Sequence, residues 1–150
     1  MSESPAKPCR YPKPALTVDL VVLTGKPPQN VLLIRRRHEP FAGAWALPGG
    51  FVDENEPLDA AARRELREET GLAVSELTQI GAFGDPGRDP RGWTVTVAYL
   101  AHLDAEPAKV TAGDDAADAQ WHPLDRLPSL AFDHGSIIAQ ALQKWRVRDH

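Results

Sequence analysis

Residues 50–72 read GFVDENEPLDAAARRELREETGL, in which Gly50, Glu56, Arg64, Glu65, Leu66, Glu68, Glu69, Gly71 and Leu72 stand in the order G-x5-E-x7-R-E-L-x-E-E-x-G-L. Pro57 suits the first turn of a helix, where its missing N–H costs nothing, and Gly71 suits the position just past the end. The spacing therefore predicts one helix of about four turns over Pro57 to Thr70, with Glu56 near its N-cap, where the helix dipole favours an acid. At roughly 100° per residue, Leu58, Ala61, Ala62 and Leu66 share one side, with Glu65, Glu68 and Glu69 among them. Asp59, Arg63, Arg64, Arg67 and Thr70 take the opposite, solvated side. Three carboxylates turned inward at i, i+3 and i+4 repel one another and lose water unless a cation stands between them. Hard cations with oxygen ligands, Mg2+ first and Mn2+ second, match such a set. A salt-bridged surface helix is the plainer reading, with Arg64 and Glu68 paired at i, i+4. The repulsive Glu65–Glu69 spacing argues against it.

The nine specified positions match the Nudix box, so the chain resembles the Nudix hydrolases. At residue frequencies of several per cent, nine such matches arise by chance less than about once in a hundred million starting points. Trp45-Ala46-Leu47-Pro48-Gly49-Gly50 upstream and the order of elements downstream are similar to the same family. The resemblance implies an α/β fold, an α/β/α sandwich with a mixed central sheet. It also implies an enzyme that hydrolyses a nucleoside diphosphate linked to another group. On this resemblance Glu65 and Glu69 ligate Mg2+ directly and Gly49 does so through its carbonyl. Glu68 holds a further metal or bridges through water, Arg64 orients the glutamates, and Glu56 acts outside the ligand set. Many Nudix enzymes also bring an acid from a loop over the metals. Of the loop acids Asp114 and Asp115, the second, six residues before Trp121, matches best, with Asp in place of the more familiar Glu. The general base is left open between Asp115 and the box glutamates.

A length of 150 residues with 42% hydrophobic and 25% charged content is the scale of one soluble core, expected over residues 15–150 behind a flexible, proline-rich leader at 1–14. The formal charge of −4 argues against a general nucleic-acid binder. A small-molecule nucleotide is the expected partner, and a homodimer is left open. Cys9 is the only cysteine, which excludes an internal disulfide. No stretch approaches membrane-spanning length, so no membrane partner is expected and the cytoplasm is the default location.

Ala15 to Thr24 and Val31 to Arg37 are apolar β-type runs joined by a hairpin turn, both central in the sheet. Further strands are expected over Leu77 to Phe83 and Trp93 to Leu103, then a long acidic connection from Asp104 to Ala119 and a short strand through Trp121. Asp133 can cap a final helix carrying Ile137, Ile138, Ala141, Leu142 and Trp145 at helical spacing. His134 beside that cap is expected to be structural.

Substrate choice lies outside the box. Pro86, about fifteen residues beyond Gly71, resembles the ADP-ribose pyrophosphatase subgroup. In the same loop Arg88 and Arg91 can bind phosphate, and Asp85 and Asp89 can accept from sugar hydroxyls. A plain hairpin loop would also favour these Gly, Pro and Asp residues. Phe41 and Trp45 are either packing residues or a base-stacking platform. The leading expectation is hydrolysis of ADP-ribose to AMP and ribose 5-phosphate. The alternatives are a nucleoside triphosphate pyrophosphohydrolase that sanitises oxidised nucleotides and a non-catalytic nucleotide-sensing domain.

Overall fold

The computed structural model describes residues 10–105, 110–113 and 115–149. Residues 1–9 of the expected leader, Cys9 among them, and Asp114 of the acidic loop pair lie outside the described residues. The elements run β1 (Ala15–Thr24), β2 (Asn30–Arg36), β3 (Trp45–Ala46), β4 (Gly49–Phe51), α1 (Leu58–Thr70), β5 (Thr78–Phe83), β6 (Thr94–Leu103), β7 (Ala116–Pro123), a 3-10 turn (Leu124–Arg126) and α2 (His134–Asp149).

β1 and β6 pair in parallel along their full length, from Ala15 against Thr94 to Thr24 against Leu103. Among the described residues the other strand-to-strand pairings are antiparallel, so the sheet is mixed, and a single parallel bridge joins Trp45 to Leu130. Because both faces of β1 are covered, its sequence is a near-continuous apolar run rather than an alternating one. Val18, Leu20 and Val22 pack with Ala61, Ala62 and Leu66 of α1, while Val21 and Leu23 pack with Ile137, Ile138, Ala141 and Trp145 of α2. The result is the α/β/α sandwich expected from the sequence.

The pairing of β1 and β2 makes the site. They are joined by a hairpin and pair only near it, at Leu23 with Val31 and Thr24 with Asn30. Beyond that point β4 takes the edge of β1 along Thr17 to Asp19, and β3 pairs with Ile34 and Arg35 of β2. Residues 45–51 are thus wedged between two strands that part from one another.

Four expectations change. Thr70 is buried, not solvated: its hydroxyl donates to the Leu66 carbonyl at 2.6 Å and accepts from the Leu72 N–H at 3.2 Å. The side chain satisfies polar groups at the helix end that would otherwise be buried without partners. Arg63 and Arg64 also leave the solvated face; Arg63 donates to the Val74 and Ser75 carbonyls and holds the chain that follows the helix. The last strand starts at Ala116 rather than near Trp121, pairing with β2 from Arg36–Ala116 to Asn30–Pro123. Its Ala-Ala-Asp-Ala opening carries little intrinsic β signal, and the open edge of β2 supplies the pairing. Asp133 precedes α2 as expected, but its carboxylate is bonded to Arg88. Among the described residues no helix is long and apolar enough to cross a membrane.

Leu66 is fully buried between α1 and the sheet. Leu66→Ala should cost about 2–5 kcal/mol of unfolding free energy in a urea titration. Val147→Ala on the exposed side of α2 should stay within about 0.5 kcal/mol.

Candidate active site

The wedge, the parted strands and one end of α1 enclose a cleft of about 400 Å3. Two missing side chains allow the approach. A Cβ on Gly49 would stand 2.1 Å from the Val18 carbonyl oxygen, and one on Gly50 would stand 2.6 Å from the Glu65 carboxylate. The Gly49 N–H then donates to Glu69 Oε1 at 2.7 Å, tying the turn to the helix.

Glu69 is 7% exposed. Burial, reinforced by the nearby Glu65 and Asp19 carboxylates, pushes its pKa up to about 8 against the Gly49 N–H bond, which favours the charged form. Burial also raises Glu65, opposed by Arg64. Arg64 is the hub of this acidic wall. Its Nε and Nη2 donate to Glu56 at 2.7 and 2.9 Å, its Nη1 to Glu65 at 2.9 Å and Glu68 at 3.0 Å, and its Nη2 also to the Phe51 carbonyl at 3.1 Å. Glu56 is held down at about 2 by those Arg64 bonds. Its carboxylate stands behind Arg64.

The cleft gathers Gly49, Arg64, Glu65, Glu69, Arg88, Arg91 and Asp115 from the expected site residues. Asp115 stands at the rim, highly exposed and 3.7 Å from His38. Its loop is anchored to the end of α1, where Thr111 N–H donates to the Thr70 carbonyl and Gly113 N–H to the Glu69 carbonyl.

Glu68, Phe41, Trp45 and Asp85 are not among the residues lining the cleft. Glu68 faces outward and reaches the site through Arg64. Trp45 packs on the α2 side of the core with its ring edge-on to His122 at 4.4 Å. Phe41 sits edge-on to Phe132 at 4.9 Å. Asp85 is exposed and offers its carbonyl to the Arg88 N–H at 3.2 Å. Arg88 is engaged by Asp133 through bonds of 2.9 and 2.6 Å, and only 5% of its side chain is exposed. Arg91 is held bidentately by Asp89 and lies over the Phe51 ring at 4.9 Å.

Asp19, Arg36, Phe51, Asp89, Phe132 and His134 also line the cleft. Asp19 carried a usable signal: a lone carboxylate inside an apolar strand needs buried partners. It accepts from the Thr96 hydroxyl at 2.6 Å and lies 3.4 Å from His134 Nε2. His134 Nδ1 accepts the Leu47 N–H at 3.0 Å, which places the ring proton on Nε2, toward Asp19. Burial lowers the His134 pKa, consistent with this neutral tautomer. His134 thus braces the turn that carries Gly49.

The donor set suits a hard divalent cation. Two inward carboxylates with raised pKa values share a cleft with a third acid at its rim and no thiol. Among the described residues no three acidic, imidazole or thiol groups are already gathered at ligating distance. Glu65 and Glu68 point to Arg64 instead.

A family model described as NUDIX domain matches residues 13–142. The chain belongs to the Nudix family. It is 40% identical over 136 residues to the ADP-ribose pyrophosphatase of Methanocaldococcus jannaschii, across 91% of this chain and 77% of that protein. It is 37% identical over 139 residues to the ADPR responsive transcriptional repressor NtrR of Acinetobacter baylyi, across 89% of this chain but 55% of the repressor, so it spans about half the length of that relative. The NUDIX domain of Shewanella oneidensis NrtR complexed with ADP ribose superposes with a TM-score of 0.84 at 36% identity, covering 93% of this chain and 94% of that one. The longer Shewanella protein complexed with a 27mer DNA matches at 38% identity and a TM-score of 0.74, over 87% of this chain and 61% of that chain. The expectation that excludes nucleic acid therefore has no support among these Nudix relatives.

A carboxyl whose folded pKa lies above its unfolded value holds its proton more tightly in the folded state. For Glu69, stability is greatest below about 4.5 and falls as pH rises toward about 8. The metal-free protein should show this loss in urea titrations between pH 5 and 8, and Glu69→Gln should remove part of the slope. Equal slopes in both proteins would place Glu69 in water rather than in the Nudix cleft.

Proposed function

We propose that this Nudix domain, over residues 15–150, is a divalent-metal-dependent pyrophosphohydrolase that cleaves ADP-ribose to AMP and ribose 5-phosphate. The observation that carries this reading is the pairing of Glu65 and Glu69 in one cleft, opposite the Gly49–Gly50 turn and beneath Asp115. The substrate follows from the similarity to the Methanocaldococcus pyrophosphatase, in agreement with the position of Pro86.

In this reading Glu65, Glu69 and the Gly49 carbonyl hold Mg2+, for which Mn2+ can substitute. Glu68 serves through Arg64 or a bridging water. When bound, the metal supplies a more acidic water and neutralises phosphate charge. The reaction forms a bond from the water oxygen to one phosphorus and breaks that phosphorus's bond to the bridging oxygen. The released proton goes to a carboxylate, for which Asp115 at the rim and the box glutamates are the candidates. Arg64 keeps Glu65 in register, and His134 keeps the glycine turn in register. Arg91, backed by Phe51, forms a wall for the nucleotide, with Phe41 behind Phe132 at its margin. Arg88 with Asp133, the Asp85 carbonyl and Trp45 hold the surrounding loops.

A second reading is supported by the similarity to the Acinetobacter repressor: a domain that binds ADP-ribose without turning it over. A substrate panel of ADP-ribose and nucleoside triphosphates, including oxidised ones, separates the readings. With Mg2+, ADP-ribose should give the highest kcat/KM, and chelator should abolish turnover. Glu69→Gln should lower kcat by on the order of a hundredfold or more, whereas Arg67→Gln should change it little. Tight ADP-ribose binding without turnover would instead establish the sensor, and full activity in chelator would overturn the metal mechanism.

A further inference from the structure

Asp115 is brought to the rim of the cleft by a loop, and among the described residues nothing hydrogen-bonded to its carboxylate aims it. The side chain is 83% exposed and meets His38 at 3.7 Å, beyond hydrogen-bond length. Its charge nevertheless reaches both inward glutamates, adding to the rise in pKa of Glu65 and Glu69. The direction of the carboxylate is therefore set by the backbone that carries it.

That backbone is held from two sides. On one side is the last turn of α1, whose carbonyls have no partner within the helix. Gly113 N–H donates to the Glu69 carbonyl at 3.2 Å and Thr111 N–H to the Thr70 carbonyl at 2.9 Å. The approach is closer than a side chain permits: a Cβ on Gly113 would stand 2.5 Å from the Glu68 carbonyl oxygen, a backbone atom that cannot turn away. Gly113 is not among the glycines with positive φ, so contact and not backbone conformation demands a glycine there. Glu69 thus offers its carboxylate to Gly49 and its carbonyl to Gly113, joining the turn and the loop through one residue. On the other side is Arg37, just past the end of β2. Its N–H donates to the Asp115 carbonyl at 3.3 Å and its Nη2 to the Ala116 carbonyl at 3.1 Å, so one residue grips two successive carbonyls. The Ala116 N–H closes the segment onto the Gly113 carbonyl at 3.1 Å.

We propose that Gly113 and Arg37 are positioning residues: they seat Asp115 between the end of α1 and the end of β2 and so hold its carboxylate at the cleft, where hydrolysis uses it. This rests on the reading of the cleft as a hydrolase site and adds to it the residues that set the rim acid. Neither residue touches a ligand in this role.

The test is a double-mutant cycle in the full chain, in which ADP-ribose turnover and Mn2+ affinity, the second by electron paramagnetic resonance of the free ion, are measured on each variant. Asp115→Asn sets the reference. Gly113→Ala should lower kcat by about tenfold and leave KM within about twofold. Arg37→Gln loses one side-chain bond and should lower kcat by about threefold; it decides the matter if Gly113→Ala does not fold. Added to Asp115→Asn, neither change should lower kcat further, and neither single variant should bind Mn2+ more weakly than Asp115→Asn does. Amide exchange at Ala116 should be about tenfold faster in both variants. The proposal is overturned if their losses multiply with that of Asp115→Asn, or if Asp115→Asn itself loses nothing. It is also overturned if Mn2+ affinity falls further than in Asp115→Asn, which would make Gly113 a support of Glu69 instead. If the parent turns over no ADP-ribose, the hydrolase reading fails, and the seating of Asp115 stands or falls on the exchange at Ala116 alone.

Discussion

The contact on which the rest of the structure depends is the one between a turn with no side chains and a helix whose glutamates face it. Gly49 lies against the β1 backbone and Gly50 against the Glu65 carboxylate, both closer than any Cβ would allow. That closeness brings the Gly49 N–H to Glu69 and turns the end of α1 into a wall of the cleft. The wedge holding the turn exists because β1 and β2 separate after a two-pair register and leave edges for β3 and β4.

This arrangement opposes stability at the cleft it builds. Glu69, Glu65 and Asp19 are all raised by burial, so the folded metal-free protein resists ionising groups that water would ionise readily. The surrounding architecture absorbs the cost. Thr96 and His134 satisfy Asp19, Arg64 neutralises Glu65, and the helix itself is secured by the sheet behind Leu66. Perturbed carboxylates gathered in a cleft are the usual signature of a working site rather than of a folding element.

The cationic residues follow the opposite logic. Three of the cleft arginines are matched to acids: Arg64 to Glu56, Glu65 and Glu68 on and beside its own helix, Arg91 to Asp89 in its own loop, and Arg88 to Asp133 across 45 positions of sequence. Such pairs fix the walls of the cleft and have little left for a ligand.

The box helix, its glycine stop, the two-faced apolar strands and the final amphipathic helix were legible because each is written in local spacing: a period of about 3.6 residues, a run of β-branched residues, a glycine where φ is positive. The strand from Ala116 was not legible, since its small residues pair only because β2 offers an edge. Nor were the inward turn of Thr70 and the central place of Arg64, which answer to carbonyls and carboxylates brought near by the fold. The sequence by itself determined the family, the sandwich and the carboxylates of the box. Tertiary structure alone decided that Arg88 is engaged by Asp133, that Trp45 belongs to the core, and that Asp19, His134 and Arg36 belong to the cleft. Spacing reports which residues share a face of one element, whereas partners from different elements are chosen by burial and charge only after those elements have packed.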